Sequence, residues 1–346
     1  MNVGSTGPTA VTWVGIFEPN CVDRIQHLKH STIKAVDRFN LSFCKIVPMG
    51  NDNFCIDIDG SIKDFVTIKD YIKSINPDAK IYVTLGGTGE PDSFPGAVSD
   101  SNFPSEILSF LREYDLDGID IDWEEGIDKT ILSNLCVKLY ETLNRNGKGL
   151  TLCTWPGSVE EYYDPEVLER TTDGLLIMSY GPNCDIKLTM AEYHDNGFHF
   201  SHLAPSIISE GGDGVIDTLE PLGGTVFEKA DFARKNQCMA GCSWQLNNDS
   251  CTDDPDLPTG LCSDYFIQYL RNCSLKQEDE LRGDLESLRK RRITHNDAIK
   301  NCNGPFQKYL MSQSPPVDLS KILSVSLLPL RQLPVVLTYD EWQSRN

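Results

Sequence analysis

Asp117-Gly118-Ile119-Asp120-Ile121-Asp122-Trp123-Glu124 places three aspartates and a glutamate within eight positions of an otherwise apolar, strand-like run. Burying that much acid is costly unless the groups share protons and hydrogen bonds, and folds keep such arrangements mainly where chemistry needs them. Alternate residues of a strand share a face. Asp120, Asp122 and Glu124 are therefore expected to project the same way, one above the next. Ile119, Ile121 and Trp123 then face a second, apolar layer. Asp117 is out of that phase and reads as a structural residue that holds the strand's N-terminal end by hydrogen bonds.

Outward from this run, short apolar stretches alternate with amphipathic ones. Strands are predicted at Val11–Phe17, Leu41–Val47, Ile81–Leu85, Gly118–Asp122, Leu150–Thr154, Gly174–Tyr180, Leu203–Ile208 and Met239–Trp244. Helical patterns lie between them, near Cys21–Ala35, Asp64–Ile75, Pro104–Glu113, Lys129–Leu143, Pro165–Thr171, Leu188–Tyr193, Val226–Lys235 and Tyr265–Leu270. Strands alternating with helices imply parallel βαβ units. Eight of them fit an α/β fold of the closed (β/α)8 TIM-barrel type over residues 1–273, with functional side chains at the C-terminal ends of the strands. The acid-rich run closes on that end of the fourth strand. An open doubly wound sheet would show a phosphate-binding glycine loop after its first strand, and Gly15-Ile16-Phe17-Glu18-Pro19 offers none.

After Cys273 the character changes. Residues 274–346 read as a helical and irregular extension, charged and helix-prone over Leu275–Lys300, then proline-rich with apolar clusters such as Leu327-Leu328-Pro329-Leu330. This tail is expected to pack back on the barrel, to dock a protein partner, or to be flexible.

The chain has 346 residues and a net charge of −20. That charge disfavours a nucleic-acid or anionic-membrane partner and suits a neutral polysaccharide. No run approaches the roughly 18 apolar residues of a membrane span. Met1–Pro8 lacks the basic-then-apolar pattern of a secretory signal. The twelve cysteines pull the other way: Cys44, Cys153 and Cys242 read as buried thiols, whereas Cys238, Cys251, Cys262 and Cys273 could pair in an oxidising compartment. Localisation stays open. His194, His199 and His202 lack ligand spacing, and Asp249, Asp253, Asp254 and Asp256 read as a solvated loop, so no metal or cofactor is expected.

The pattern Asp117-Gly118-x-Asp120-x-Asp122-Trp123-Glu124 resembles the signature of glycoside hydrolase family 18, the chitinases and their relatives. Thr84-Leu85-Gly86-Gly87 is similar to that family's Ser-x-Gly-Gly on the third strand, and Met178-Ser179-Tyr180 to its Met-x-Tyr on the sixth. Trp244 matches the tryptophan that floors the sugar site. The resemblance implies hydrolysis of β-1,4 links beside N-acetylglucosamine, most simply in chitin, with retention and with the substrate's own acetamido oxygen as nucleophile.

Under that resemblance Glu124 is the general acid and base and Asp122 orients the acetamido group. Asp120 shares a proton with Asp122, and Tyr180 donates to the acetamido oxygen. Trp244, Met178, Gly86 and Gly87 would contact substrate. Trp155 and Trp13, near the ends of strands five and one, would line further subsites or pack in the core. Gly181 stands where the family carries Asp or Asn, which removes a sugar-contacting group. The short stretch between the seventh strand and Cys238 leaves no room for an extra α+β domain, so an open cleft and internal cutting are implied. Two alternatives are an endo-β-N-acetylglucosaminidase acting on N-glycans, against which Trp123 argues, and a non-catalytic chitinase-like lectin or scaffold, against which Glu124 argues.

Overall fold

The computed structural model describes residues 8–88, 93–180, 184–209, 217, 225–249 and 260–271. Nine strands run through them: β1 (Thr9–Gly15), β2 (Arg38–Gly50), β3 (Asn53–Ile58), β4 (Lys80–Gly86), β5 (Gly118–Asp122), β6 (Gly149–Thr154), β7 (Gly174–Ile177), β8 (Leu203–Ile208) and β9 (Ala240–Trp244). All except β3 are parallel. They follow one another around the sheet, and β1 closes it by pairing with both β2 and β9. The result is the expected (β/α)8 barrel, with β5 as its fourth strand. The extension expected over residues 274–346 lies outside the described residues.

The addition is β3, which returns antiparallel against β2. Asn51 and Asp52 both adopt positive φ (53° and 59°), the geometry of a tight two-residue hairpin turn that favours these residue types. The strand expected over Leu41–Val47 thus runs on into a hairpin, which Asn51-Asp52 and the alternation Phe54, Ile56, Ile58 announce. The Phe54 ring lies against Gly96, where a Cβ would approach it to 2.3 Å. The hairpin thereby covers a short helix, Ser93–Ser99, at the active end of the barrel.

The longer helices present an apolar stripe to the strands. Phe65, Ile68 and Ile72 do so on Ile62–Ile75, and Leu132, Leu135, Leu139 and Leu143 on Lys129–Arg145, at the three-to-four-residue spacing of one face. Aspartates start several of them: Asp128 accepts from the backbone N–H groups of Thr130 and Ile131, Asp164 from Val167, and Asp185 from Lys187 and Leu188. Such a cap stabilises a helix by about 1 kcal/mol relative to alanine.

The core has two shells because strand side chains alternate. Ile119, Ile121 and Trp123 join the large layer between strands and helices. Val11, Trp13, Cys153, Leu176, Met178, Ala204, Ala240 and Cys242 form a smaller cluster inside the barrel. The interior also holds buried polar side chains: Asn40, Thr84, Asp120, Thr151 and Ser206 are all 0% exposed. Their hydrogen bonds shape the site.

Candidate active site

Asp120 lies at the centre of the barrel and accepts five donors. Oδ2 takes Trp13 Nε1 (3.2 Å), Asn40 Nδ2 (3.1 Å), Thr84 Oγ1 (3.2 Å) and Cys153 Sγ (3.1 Å), and Oδ1 takes Thr151 Oγ1 (2.7 Å). The barrel register supplies two of them directly, because Thr84 and Thr151 are the Cα partners of Asp120 on the strands either side. Burial raises the Asp120 pKa, while the Arg38 cation and the donors from Thr151, Cys153 and Trp13 pull it back.

One step towards the mouth, Asp122 is 4% exposed, and its Oδ1 is buried without a hydrogen-bond partner. Its pKa stands well above the ordinary carboxylate range. Burial is the main cause, followed by the charges of Glu124 and Asp120 and a hydrogen bond with Glu124. Glu124, half-buried at the end of the row, accepts from Trp155 Nε1 at 3.2 Å. Burial raises its pKa too, against hydrogen bonds from Trp155 and Thr88 that favour the ionised form. Two carboxyls this close cannot both ionise cheaply, so one proton is shared and Asp122 is its favoured carrier.

Gly86 is the register partner of Asp122. Its φ is +106°, and a Cβ there would come within 2.3 Å of the Asp122 carbonyl oxygen and 2.9 Å of Phe94. Gly87, at φ +94°, donates its N–H to that same carbonyl at 2.8 Å. The two glycines let the chain leaving β4 lie flat against the backbone that carries the acids. Gly86→Ala is expected to destabilise the fold by roughly 2–4 kcal/mol, from a left-handed backbone and a steric overlap. A denaturant melt compared with wild type measures it.

Aromatic side chains wall the mouth. Trp244 stacks on Phe43 (5.5 Å between ring centres) and is tilted against Trp13 (6.1 Å), and Phe43 stacks in turn on Phe17 (5.5 Å). Across the opening, Trp155 meets Tyr180 edge-on at 6.0 Å. The site therefore joins a deep acidic row to partly exposed ring faces, the pairing of polar and aromatic groups that suits a sugar.

The sequence profile of Glycosyl hydrolases family 18 matches residues 13–199, more than half of the chain and the stretch that carries every acid of the row. The chain belongs to glycosyl hydrolase family 18. Among curated relatives it is 28% identical over 123 residues to Probable chitinase 2 of Drosophila melanogaster, covering 32% of this chain and 25% of that protein. It is 29% identical over 145 residues to the Endochitinase of Manduca sexta, covering 36% of this chain and 25% of that protein. The matched stretch thus spans about a quarter of those relatives' length.

The solved catalytic domain 2 of the Ostrinia furnacalis Group II chitinase, in complex with penta-N-acetylchitooctaose, superposes with a TM-score of 0.60. It is 15% identical and covers 77% of this chain and 97% of that one. The chitinase-like agglutinin of Robinia pseudoacacia superposes with a TM-score of 0.59 at 14% identity, over 75% of this chain and 99% of that one. At these identities the superpositions establish the barrel.

In the family 18 barrel, the remaining residues singled out from sequence take distinct places. Met178 is 5% exposed inside the barrel, on the segment that continues from β7, and Tyr180 follows it to the rim. Trp13 is only 2% exposed, so its indole serves Asp120 and offers little face to a ligand. Trp155 is partly exposed beside Glu124. Asp117 sits at the opposite end of β5, where Oδ2 accepts from the Ile81 N–H (2.9 Å) and Oδ1 from Lys80 Nζ (2.9 Å). Gly181 lies outside the described residues.

Asn40, Phe43, Thr151 and Cys153 belong to the site and were not singled out for it. Nothing within their own strands marks them, because it is the register that brings them to the acids. Asp249 departs from the solvated loop expected for it. It is 0% exposed, accepts from the N–H groups of Cys262 (3.3 Å) and Ser263 (2.7 Å) at the start of the last described helix, and has its pKa pushed up by burial to about 7. Asp253, Asp254 and Asp256 lie outside the described residues. Cys44, Cys153, Cys238 and Cys242 are buried free thiols, whereas Cys262 is disulfide-bonded. The three histidines have separate partners: His194 stacks on Phe200, His199 pairs with Glu169 and His202 meets Thr172.

Proposed function

We propose that this chain is a retaining, endo-acting glycosidase that cleaves β-1,4 links next to N-acetylglucosamine in chitin-type chains. The observation that carries this reading is the buried, unpartnered Oδ1 of Asp122 beside Glu124. A buried acceptor without a donor is unfavourable. The N–H of an acetamido group entering the mouth supplies that donor; a glucose unit presents only a hydroxyl there and has no acetamido oxygen to attack the anomeric carbon. Family membership and the chitinases among the relatives support the choice of substrate.

On this reading the proton shared by Asp122 and Glu124 passes through Glu124 to the leaving glycosidic oxygen, which leaves Asp122 ionised, while the acetamido oxygen attacks the anomeric carbon. The C–O bond to the leaving sugar breaks and an oxazolinium ring forms. Asp122 accepts the acetamido N–H and stabilises the ring's positive charge, and Tyr180 donates to the acetamido oxygen. Glu124, now ionised, takes a proton from the water that opens the ring and regains its acid form. Each turnover returns the carboxyls to their starting protonation, and no separate nucleophile is consumed.

The test is incubation with N-acetylglucosamine oligomers, following the initial anomer by proton NMR, with glucose oligomers as control. Initial β-anomer from the former and no turnover of the latter is expected. Tight binding without cleavage would instead indicate a lectin, the reading favoured by the agglutinin that shares the fold. Cleavage of N-glycan cores in preference to chitin chains would move the substrate to glycoconjugates.

A further inference from the structure

Cys153, on β6, touches the acids from the side. Its thiol donates to Asp120 Oδ2 at 3.1 Å and is 3% exposed. Thr151 is the register partner of Asp120, so Cys153, two residues further along β6 on the same face, stands level with Asp122 and reaches back to Asp120 beside the donors Thr151, Thr84, Asn40 and Trp13. We propose that Cys153 is a positioning residue whose S–H occupies the side of Asp120 that the Asp122 carboxyl would otherwise take, leaving Asp122 turned towards Glu124.

The argument is one of competition for lone pairs. Asp120 already accepts five donors, and the fewer sites it has left, the less it gains from a proton carried by Asp122. That proton is then free to bridge to Glu124. The thiol can fill this role at any working pH because burial and the flanking carboxylates raise its pKa well above the usual thiol value, so it stays a donor. The charged and titratable groups around it are Asp120 and Asp122 on β5, Cys242 on β9 and Tyr163 beyond β6, with Arg38 on β2 acting on Asp120 and Cys242, and Glu124 acting on Asp122. Arg38 is the cation among them, and it is occupied over the Tyr82 ring at 4.6 Å. The proposal rests on reading Asp122 and Glu124 as the working pair.

The test compares Cys153→Ala and Cys153→Ser with wild type by two readouts. The first is the pH profile of kcat/KM on N-acetylglucosamine oligomers. The second is the titration of carbon-13-labelled aspartates in the ligand-free protein. Cys153→Ala removes a donor from Asp120, so the Asp120 titration and the acid limb of the profile are both expected to move to higher pH. On that limb kcat/KM falls roughly 2- to 10-fold, the worth of one hydrogen bond. Cys153→Ser keeps a donor and is expected to stay with wild type. Should Cys153→Ala not fold, Cys153→Val fills the space without a donor.

An unmoved titration and profile in a folded donorless variant would overturn the proposal. So would a serine variant shifted as far as alanine, since the effect would then follow volume. If wild type fails to cleave the oligomers, the proposed function fails, yet the titration of the ligand-free protein still decides the role of Cys153.

Discussion

Glu124→Gln is expected to lower kcat on N-acetylglucosamine oligomers by roughly 10²- to 10⁴-fold, the range over which general acid–base groups contribute. The amide is nearly isosteric and still accepts from Trp155 Nε1, which in the native protein holds the Glu124 carboxyl at 3.2 Å. The pocket therefore keeps its shape, and binding measured by calorimetry should persist while turnover is lost. The amide can neither give a proton to the leaving oxygen nor take one from water, so both half-reactions fail together. Turnover within a few-fold of wild type would show that another group carries the proton and would remove Glu124 from the reaction.

Asp122→Asn is expected to cost roughly 10²- to 10³-fold in kcat, the effect typical of losing one charge-stabilising group in a dry site. KM is expected to change far less, because an amide oxygen still accepts the acetamido N–H. What disappears is the negative charge that stabilises the oxazolinium. The same variant tests the electrostatics without substrate. The Asp122 pKa is raised in the folded protein by burial and by its acidic neighbours. Its contribution to stability is therefore fully present below the ordinary carboxylate range and is lost as pH rises towards the folded value, because the unfolded chain releases the proton first. The amide side chain of the variant does not titrate. The melting temperature of wild type is thus expected to fall more steeply than that of Asp122→Asn as pH rises from the acid range towards neutrality. Parallel curves would mean that Asp122 ionises without penalty in the fold.

How far the chain could be read in advance follows from the range of each interaction. The eight barrel strands were legible because hydrophobic alternation is local, and each strand carries its own signal. β3 is less legible although Asn51-Asp52 is a turn sequence, because Pro48 and Gly50 interrupt the apolar alternation of β2 just before it. The short helices Ser93–Ser99 and Val159–Tyr162 were missed for a different reason: loops at the barrel mouth are held by tertiary packing more than by propensity.

The acidic row behaves likewise. Period-two alternation on a single strand is enough to say that Asp120, Asp122 and Glu124 point one way and that Ile119, Ile121 and Trp123 point the other. That much the octapeptide determined alone, and with it the barrel end where chemistry belongs. Which donors meet each acid was decided by tertiary structure. Thr84 and Thr151 reach Asp120 because the register of β4, β5 and β6 sets their Cα atoms side by side, although 36 and 31 residues separate them along the chain. Trp13, Asn40 and Cys153 converge on it because the barrel closes. A strand fixes its own faces by steric alternation over a few ångströms, whereas hydrogen-bond partners across a barrel exist only once the register and closure of all eight strands are set.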